Sequence, residues 1–200
     1  CDTHAVATSP DGRYAFVDAG PDGLQVVDIS NPATGFVVGN AATGNQARDV
    51  VLSADGAYAF VASFTSGLEI FDVSNVSSPS LAGGVGTSKA GGLSLSPDGN
   101  YAFIADGNSG GLQVVDVSNV ANPQIVGNAG TSGFARDVVV SLDGKYAYVA
   151  AQAGGLEIFD VSNPSSPSLL GSGSTAELAV GVTLAADGEH VFVAASGDGL

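Results

Sequence analysis

Apolar residues fall along this chain in short runs rather than in helical stripes. In one stretch, Arg48 to Ser53 is a brief apolar run, Ala54-Asp55-Gly56 interrupts it, and Tyr58-Ala59-Phe60-Val61 follows at once. This predicts two strands joined by a hairpin turn, with the glycine free to take positive φ. After a variable loop, Leu68 to Val73 predicts a third strand, with Leu68, Ile70 and Asp72 on one face and Glu69, Phe71 and Val73 on the other. Pro79 breaks the pattern, and Leu81 to Val85 predicts a weaker fourth strand. No long segment combines helical spacing with caps, so the expected class is all-β.

The same succession recurs along the whole sequence. The glycine opening the third strand falls at Gly23, Gly67, Gly111, Gly155 and Gly199, at constant intervals of 44. The Asp-Gly turn falls at Asp11, Asp55, Asp98, Asp143 and Asp187, at intervals of 44, 43, 45 and 44. A four-stranded antiparallel unit at this period predicts a β-propeller, because one small sheet cannot bury both its faces and must stack on its neighbours. A parallel β-helix is the rival fold, but its turns are shorter and lack Asp-Gly hairpins. The chain is therefore expected to be a single propeller domain or a fragment of one. Its blade repeats fall at about residues 1–46, 47–89, 90–134 and 135–178, with a partial fifth at 179–200.

A finer period overlies the first. Copies one and three share Leu-Gln-Val-Val-Asp, whereas copies two and four share Leu-Glu-Ile-Phe-Asp, so the duplicated unit is two blades of 88 residues in all. Growth by pairs predicts a ring of six or eight blades. Copy five stops at Gly199-Leu200, where the others run into a third strand. The open edge this leaves is expected to be covered by further polypeptide or by a partner.

The segments Gly23-Leu24-Gln25-Val26-Val27-Asp28-Ile29-Ser30-Asn31-Pro32 and Gly155-Leu156-Glu157-Ile158-Phe159-Asp160-Val161-Ser162-Asn163-Pro164 resemble the LVIVD-repeat family. The copies at Leu68 and Leu112 match too, with Val76 and Val120 in place of the proline, and the strand at Tyr14, Tyr58 and Tyr146 also looks like that family. The resemblance implies a propeller of the kind found in bacterial and archaeal exported or surface proteins. It implies little about function, because such repeats are generic scaffolds.

Charge narrows the partners. Sixteen Asp and four Glu face five Lys and Arg, for a net charge of −15. Without a basic patch, nucleic acid and anionic headgroups are excluded as expected partners. No apolar run reaches the ~20 residues that span a bilayer. The chain begins with Cys1, its one cysteine, rather than with Met, which suggests a processed product, a fragment or a lipid-modified mature terminus.

Catalytic motifs are not apparent in this stretch. The two recurrent aspartate sets, Asp11, Asp55, Asp98, Asp143 and Asp187 in the hairpins and Asp28, Asp72, Asp116 and Asp160 after the third strand, obey the repeat and are read as structural turn formers. Residues that break the repeat are better candidates. His4, Arg48-Asp49 and Arg136-Asp137 occupy matched positions at the start of first strands, with Gly91-Gly92 between them. In a propeller these would ring one mouth of the central channel and bind a polar ligand or partner. Asp18, Asp22, Asp106 and Asp198 stand in variable loops with Gly or Asn and are the candidate ligands should Ca²⁺ bind, although each loop brings only one or two carboxylates.

The expected function is a non-catalytic scaffold or protein-interaction module outside the cytoplasm, whether extracellular, on the cell surface or periplasmic. It would display variable loops to a protein or a surface polymer, with no cofactor beyond the Ca²⁺ just considered. The alternative is a lactonase-like propeller hydrolase, with its active site in the channel or in blades outside this stretch.

Overall fold

Each repeat pairs β-forming residues with turn residues, and each becomes one sheet. In the computed structural model, which describes residues 3–196, the first sheet contains β1 (Val6–Thr8), β2 (Tyr14–Asp18), β3 (Leu24–Asp28) and β4 (Phe36–Ala41). The second contains β5 (Ala47–Leu52), β6 (Tyr58–Ser63), β7 (Gly67–Asp72) and β8 (Ser80–Val85). The third contains β9 (Leu93–Leu95), β10 (Tyr101–Asp106), β11 (Gly111–Asp116) and β12 (Gln124–Ala129). The fourth contains β13 (Asp137–Val140), β14 (Tyr146–Ala150), β15 (Leu156–Asp160) and β16 (Ser168–Gly173), and a two-stranded fifth contains β17 (Ala179–Leu184) and β18 (Val191–Ala195). Strands follow one another in sequence order within every sheet, and neighbouring strands pair antiparallel. Two short turns of helix, Gly20–Asp22 and Gly107–Gly110, fill two of the variable loops.

The described residues form two compact units, one of residues 3–90 and 119–123, the other of residues 91–118 and 124–196. In the first unit Phe16, Leu24 and Val26 of one sheet pack against Ala47, Val50, Val61 and Phe71 of the next. In the second, Phe103, Leu112 and Val114 pack against Val138, Val149 and Phe159. Both faces of β7 are buried: Leu68, Ile70 and Phe71, with Val73 just beyond the strand, are all sealed from water.

The weak fourth strand has a physical cause. In each four-stranded sheet its register slips by one residue, between Val26 and Val27, Ile70 and Phe71, Val114 and Val115, and Ile158 and Phe159. A bulge of this kind bends the strand. In the first and third sheets the glycine beside the bulge is pressed onto the following repeat, whereas Gly171 in the fourth meets nothing within 4 Å. A Cβ on Gly39 would lie 2.1 Å from the Val76 carbonyl oxygen, and one on Gly127 would lie 2.2 Å from that of Pro164.

Candidate functional site

The recurrent carboxylates are held by their own turns. Ser9 Oγ donates to Asp11 Oδ1 at 2.6 Å, and the Arg13 and Tyr14 amides close the turn onto Asp11 and Ser9. The same Ser-x-Asp-Gly device holds Asp55, Asp98 and Asp143. The serine hydroxyl, with the backbone amide behind it, draws each of these four carboxyls below the ordinary range, Asp143 to about 2. Asp187 lacks the serine; the Glu189 amide is its main stabiliser, and His190 Nδ1 lies 3.1 Å away. Asp28, Asp72, Asp116 and Asp160 each accept from the backbone and the hydroxyl of the serine two residues on, Ser30, Ser74, Ser118 and Ser162. Near these turns, in the second unit, a cavity of about 320 Å³ opens between Pro97, Asp98, Tyr101, Asp143 and Pro164. Its two carboxylates are already engaged by Ser96 and Ser141.

In the first unit His4 and Arg48 do meet. Arg48 Nη1 lies 3.3 Å from His4 Nε2, and Arg48 Nη2 donates to Gln46 Oε1 at 2.6 Å. The guanidinium stands 4.9 Å from the centroid of the Phe64 ring, a cation–π distance. Because arginine can only donate, His4 Nε2 must accept, which leaves the ring proton on Nδ1, 3.6 Å from Asp18 Oδ1. Asp18, buried, also accepts the amides of His4, Ala5 and Gly20. Arg48 Nε is buried without a hydrogen-bond partner. Asp49 Oδ1 accepts the Val50 amide at 2.8 Å.

The matched residues of the second unit are disposed differently. Asp137 Oδ1 accepts from the Val138 amide and Oδ2 from the Val182 amide of β17, both at 2.8 Å, so its carboxylate ties the fourth repeat to the fifth. Burial raises its pKa, against the pull of those two amides and of Arg136. A Cβ on Gly92 would fall 2.3 Å from Asp137 Oδ1, so glycine there makes room for the acid. Arg136 is exposed, and among the described residues its guanidinium takes no hydrogen bond and no ion pair.

Of the calcium candidates, Asp18 is the buried amide acceptor just described, Asp22 closes the Gly20–Asp22 turn, and Asp106 is buried before the Gly107–Gly110 turn. Asp198 and Cys1 lie outside the described residues. Among the described residues no group of three or more His, Cys, Asp or Glu is placed to hold a metal ion, and no helix is long and apolar enough to cross a membrane.

Sequence reasoning missed two residues that join repeats. Both carboxylate oxygens of Glu69 lie 3.0 Å from the Gly44 amide, and Glu157 Oε1 accepts the Ser132 amide at 2.9 Å as well as its hydroxyl. Glu157 is buried, and its Oε2 has no partner. The signal was present in the 88-residue alternation of Glu69 and Glu157 with Gln25 and Gln113.

Comparison with known proteins agrees with this architecture. The periplasmic gluconolactonase of Pseudomonas aeruginosa superposes with a TM-score of 0.78 at 19% identity, over 96% of this chain and 64% of that one. The β-propeller domain of Myceliophteria thermophila Cps50 (Swd1) gives 0.75 at 15%, over 98% and 67%. A functionally unknown protein from Desulfotomaculum acetoxidans gives 0.80 at 19%, over 97% and 65%. The chain thus spans about two thirds of the length of these structures, and at such identities they establish the fold alone: a β-propeller, here of four blades and part of a fifth. No curated protein matches the sequence. The LVIVD repeat matches four times, at residues 3–43, 44–87, 89–131 and 132–175, and the chain belongs to the LVIVD-repeat family.

Proposed function

We propose that this chain is a non-catalytic binding scaffold of an exported protein, and that it meets its partner through the residues that break the repeat at the start of first strands: His4, Arg48 and Asp49 in one unit, Arg136 and Asp137 in the other. The observation that supports this reading is the division of labour among polar groups. Carboxylates present in every copy are bound within the turns of their own blades, as Asp55 is by Ser53 and Ala57. At the starts of the first strands, by contrast, the arginines Arg48 and Arg136 stand in alternate repeats only, and Arg136 is exposed. A binding surface on a repeated frame has to be built from what differs between repeats. Family membership and the fold shared with a periplasmic protein favour an exported setting.

Cross-linking of the protein in its native envelope, followed by mass spectrometry, tests the reading. Cross-links to a partner should concentrate near residues 3–5, 46–49 and 134–137 and should be lost in a variant carrying both Arg48→Ala and Arg136→Ala. Hydrolysis of gluconolactone by the wild type, abolished by those same substitutions, would overturn the proposal in favour of a hydrolase.

A further inference from the structure

The duplicated pair of blades contains an exchange of residues at one site. Gln46, Arg48 and Phe64 in the second repeat correspond, at a constant offset of 88, to Phe134, Arg136 and Gln152 in the fourth. The arginine is retained, while glutamine and phenylalanine trade places. In the second repeat the arginine is occupied: it stacks on Phe64, donates to Gln46 and reaches His4. In the fourth, Arg136 has the same place on the strand, and its amide donates to Ala150 at 2.8 Å, two residues before Gln152. Its guanidinium is exposed, and neither it nor the Gln152 side-chain amide takes a hydrogen bond among the described residues. The adjacent carboxylate, Asp137, is turned to the amides of Val138 and Val182 and makes no ion pair with Arg136.

Gln152 is also held in an unusual backbone conformation. Its φ is 43°, and it is the one non-glycine residue with positive φ among those described. The matched positions in the first and third repeats are Gly20 and Gly107, at φ 54° and 62°. A side chain kept where sister repeats use glycine stores strain, and strain of this kind gathers at binding sites.

From this geometry we infer that Arg136 and Gln152 form a receptor for a single carboxylate. The guanidinium fork takes both oxygens, and the Gln152 amide adds a third donor. The net charge of −15 repels polyanions over long range, so the ligand class is a monocarboxylate of otherwise low charge. The inference rests on the proposal that the starts of first strands are binding surfaces, and it specifies the chemistry of one of them.

Sodium benzoate titrated into the full chain, followed by the Arg136 side-chain Nε–H resonance and by calorimetry, provides the test. Saturable binding is expected, with benzyl alcohol failing to bind. Arg136→Ala should weaken binding about tenfold, and Arg136→Lys should weaken it as well, because an ammonium lacks the fork. Arg13→Ala should bind as the wild type does. Gln152→Gly should weaken binding about threefold while raising the melting temperature, two opposite shifts that a residue with only a structural role would not give. Equal binding by benzyl alcohol, or binding unchanged in Arg136→Ala, overturns the inference. Partner cross-links near residues 134–137 without benzoate binding would defeat the carboxylate site alone. Benzoate binding without such cross-links would instead defeat the scaffold reading.

Discussion

Substituting Gly127 with alanine should separate packing between repeats from the intrinsic preference of the backbone. Gly127 lies in β12, and a Cβ there would stand 2.2 Å from the Pro164 carbonyl oxygen and 3.0 Å from Pro164's neighbour in the same loop, Pro167 Cδ. A carbon and an oxygen in ordinary contact sit more than 3 Å apart, so β12 or the Pro164 loop has to withdraw by roughly 1 Å. Overpacking of that order costs about 1–3 kcal/mol. Alanine recovers about 0.5–1 kcal/mol relative to glycine by narrowing the unfolded ensemble, leaving a net loss of about 1 kcal/mol at mid-range and about 2.5 kcal/mol at most. In a chain of this length each kcal/mol lowers the melting temperature by about 2–4 °C. Gly130, three residues on, meets nothing within 4 Å, so Gly130→Ala should be neutral or slightly stabilising. Urea titrations of both variants, read by far-UV circular dichroism, measure the pair. Equal midpoints for Gly127→Ala and Gly130→Ala would refute the claim that the outer strand is locked by the next repeat.

Other expectations follow from the polar groups. Glu157→Gln should change stability by less than about 1 kcal/mol, since one oxygen can still accept from Ser132 and the partnerless Oε2 is replaced, whereas Glu157→Ala should cost about 2 kcal/mol; urea midpoints distinguish the two. The turn aspartates have folded pKa values below their unfolded ones, so their contribution is complete above about pH 5 and is lost as pH falls, for Asp143 down to about 2. Asp137 has the opposite sign: its pKa is raised, so its protonated form is favoured by folding, and that contribution is lost as pH rises through the folded value. Carboxyl carbon NMR should place Asp137 above, and Asp143 well below, the ordinary aspartate range.

The fold was legible because each blade is assembled from local signals. Gly12, Gly56, Gly99, Gly144 and Gly188 all take φ between 69° and 73° in the Asp-Gly turns, where the sequence alone called for positive φ. Strand boundaries shifted by one or two residues: the strand read as Arg48 to Ser53 is Ala47–Leu52, that read as Tyr58 to Val61 is Tyr58–Ser63, and that read as Leu68 to Val73 is Gly67–Asp72. The outer strand was faint because a bulge interrupts its alternation and because Leu81 and Leu169 remain more than half exposed. What spacing could not reveal was the relation of one repeat to the next. Nothing local to Glu69 points to Gly44, 25 residues earlier, and nothing local to Asp137 points to Val182, 45 residues later. Such contacts depend on which side chain the neighbouring sheet presents. The strain at Gln152 was hidden for a related reason, since it becomes visible only when that position is set beside Gly20 and Gly107.

The alternation of blades also has a steric basis, which explains why the pair rather than the single repeat is the unit that duplicates. At the second position of the first strand the residues run Ala5, Asp49, Gly92, Asp137 and Gly181. In the second unit the reason is visible: Asp137 fills the space that a Cβ on Gly92 would occupy, and it reaches forward to the amide of Val182, the residue after Gly181. An acid at this position therefore needs a small residue in the repeat on either side. Two adjacent repeats of the acidic kind would bring two carboxylates into one buried space, where one would have to give up its charge. Two adjacent repeats of the small kind would leave an amide without its acceptor. Only a duplication carrying both kinds together preserves the alternation. The same constraint carries the Glu69 and Glu157 contacts along with it, and it leaves the loops around Arg48 and Arg136, which lie outside that packing, free to diverge.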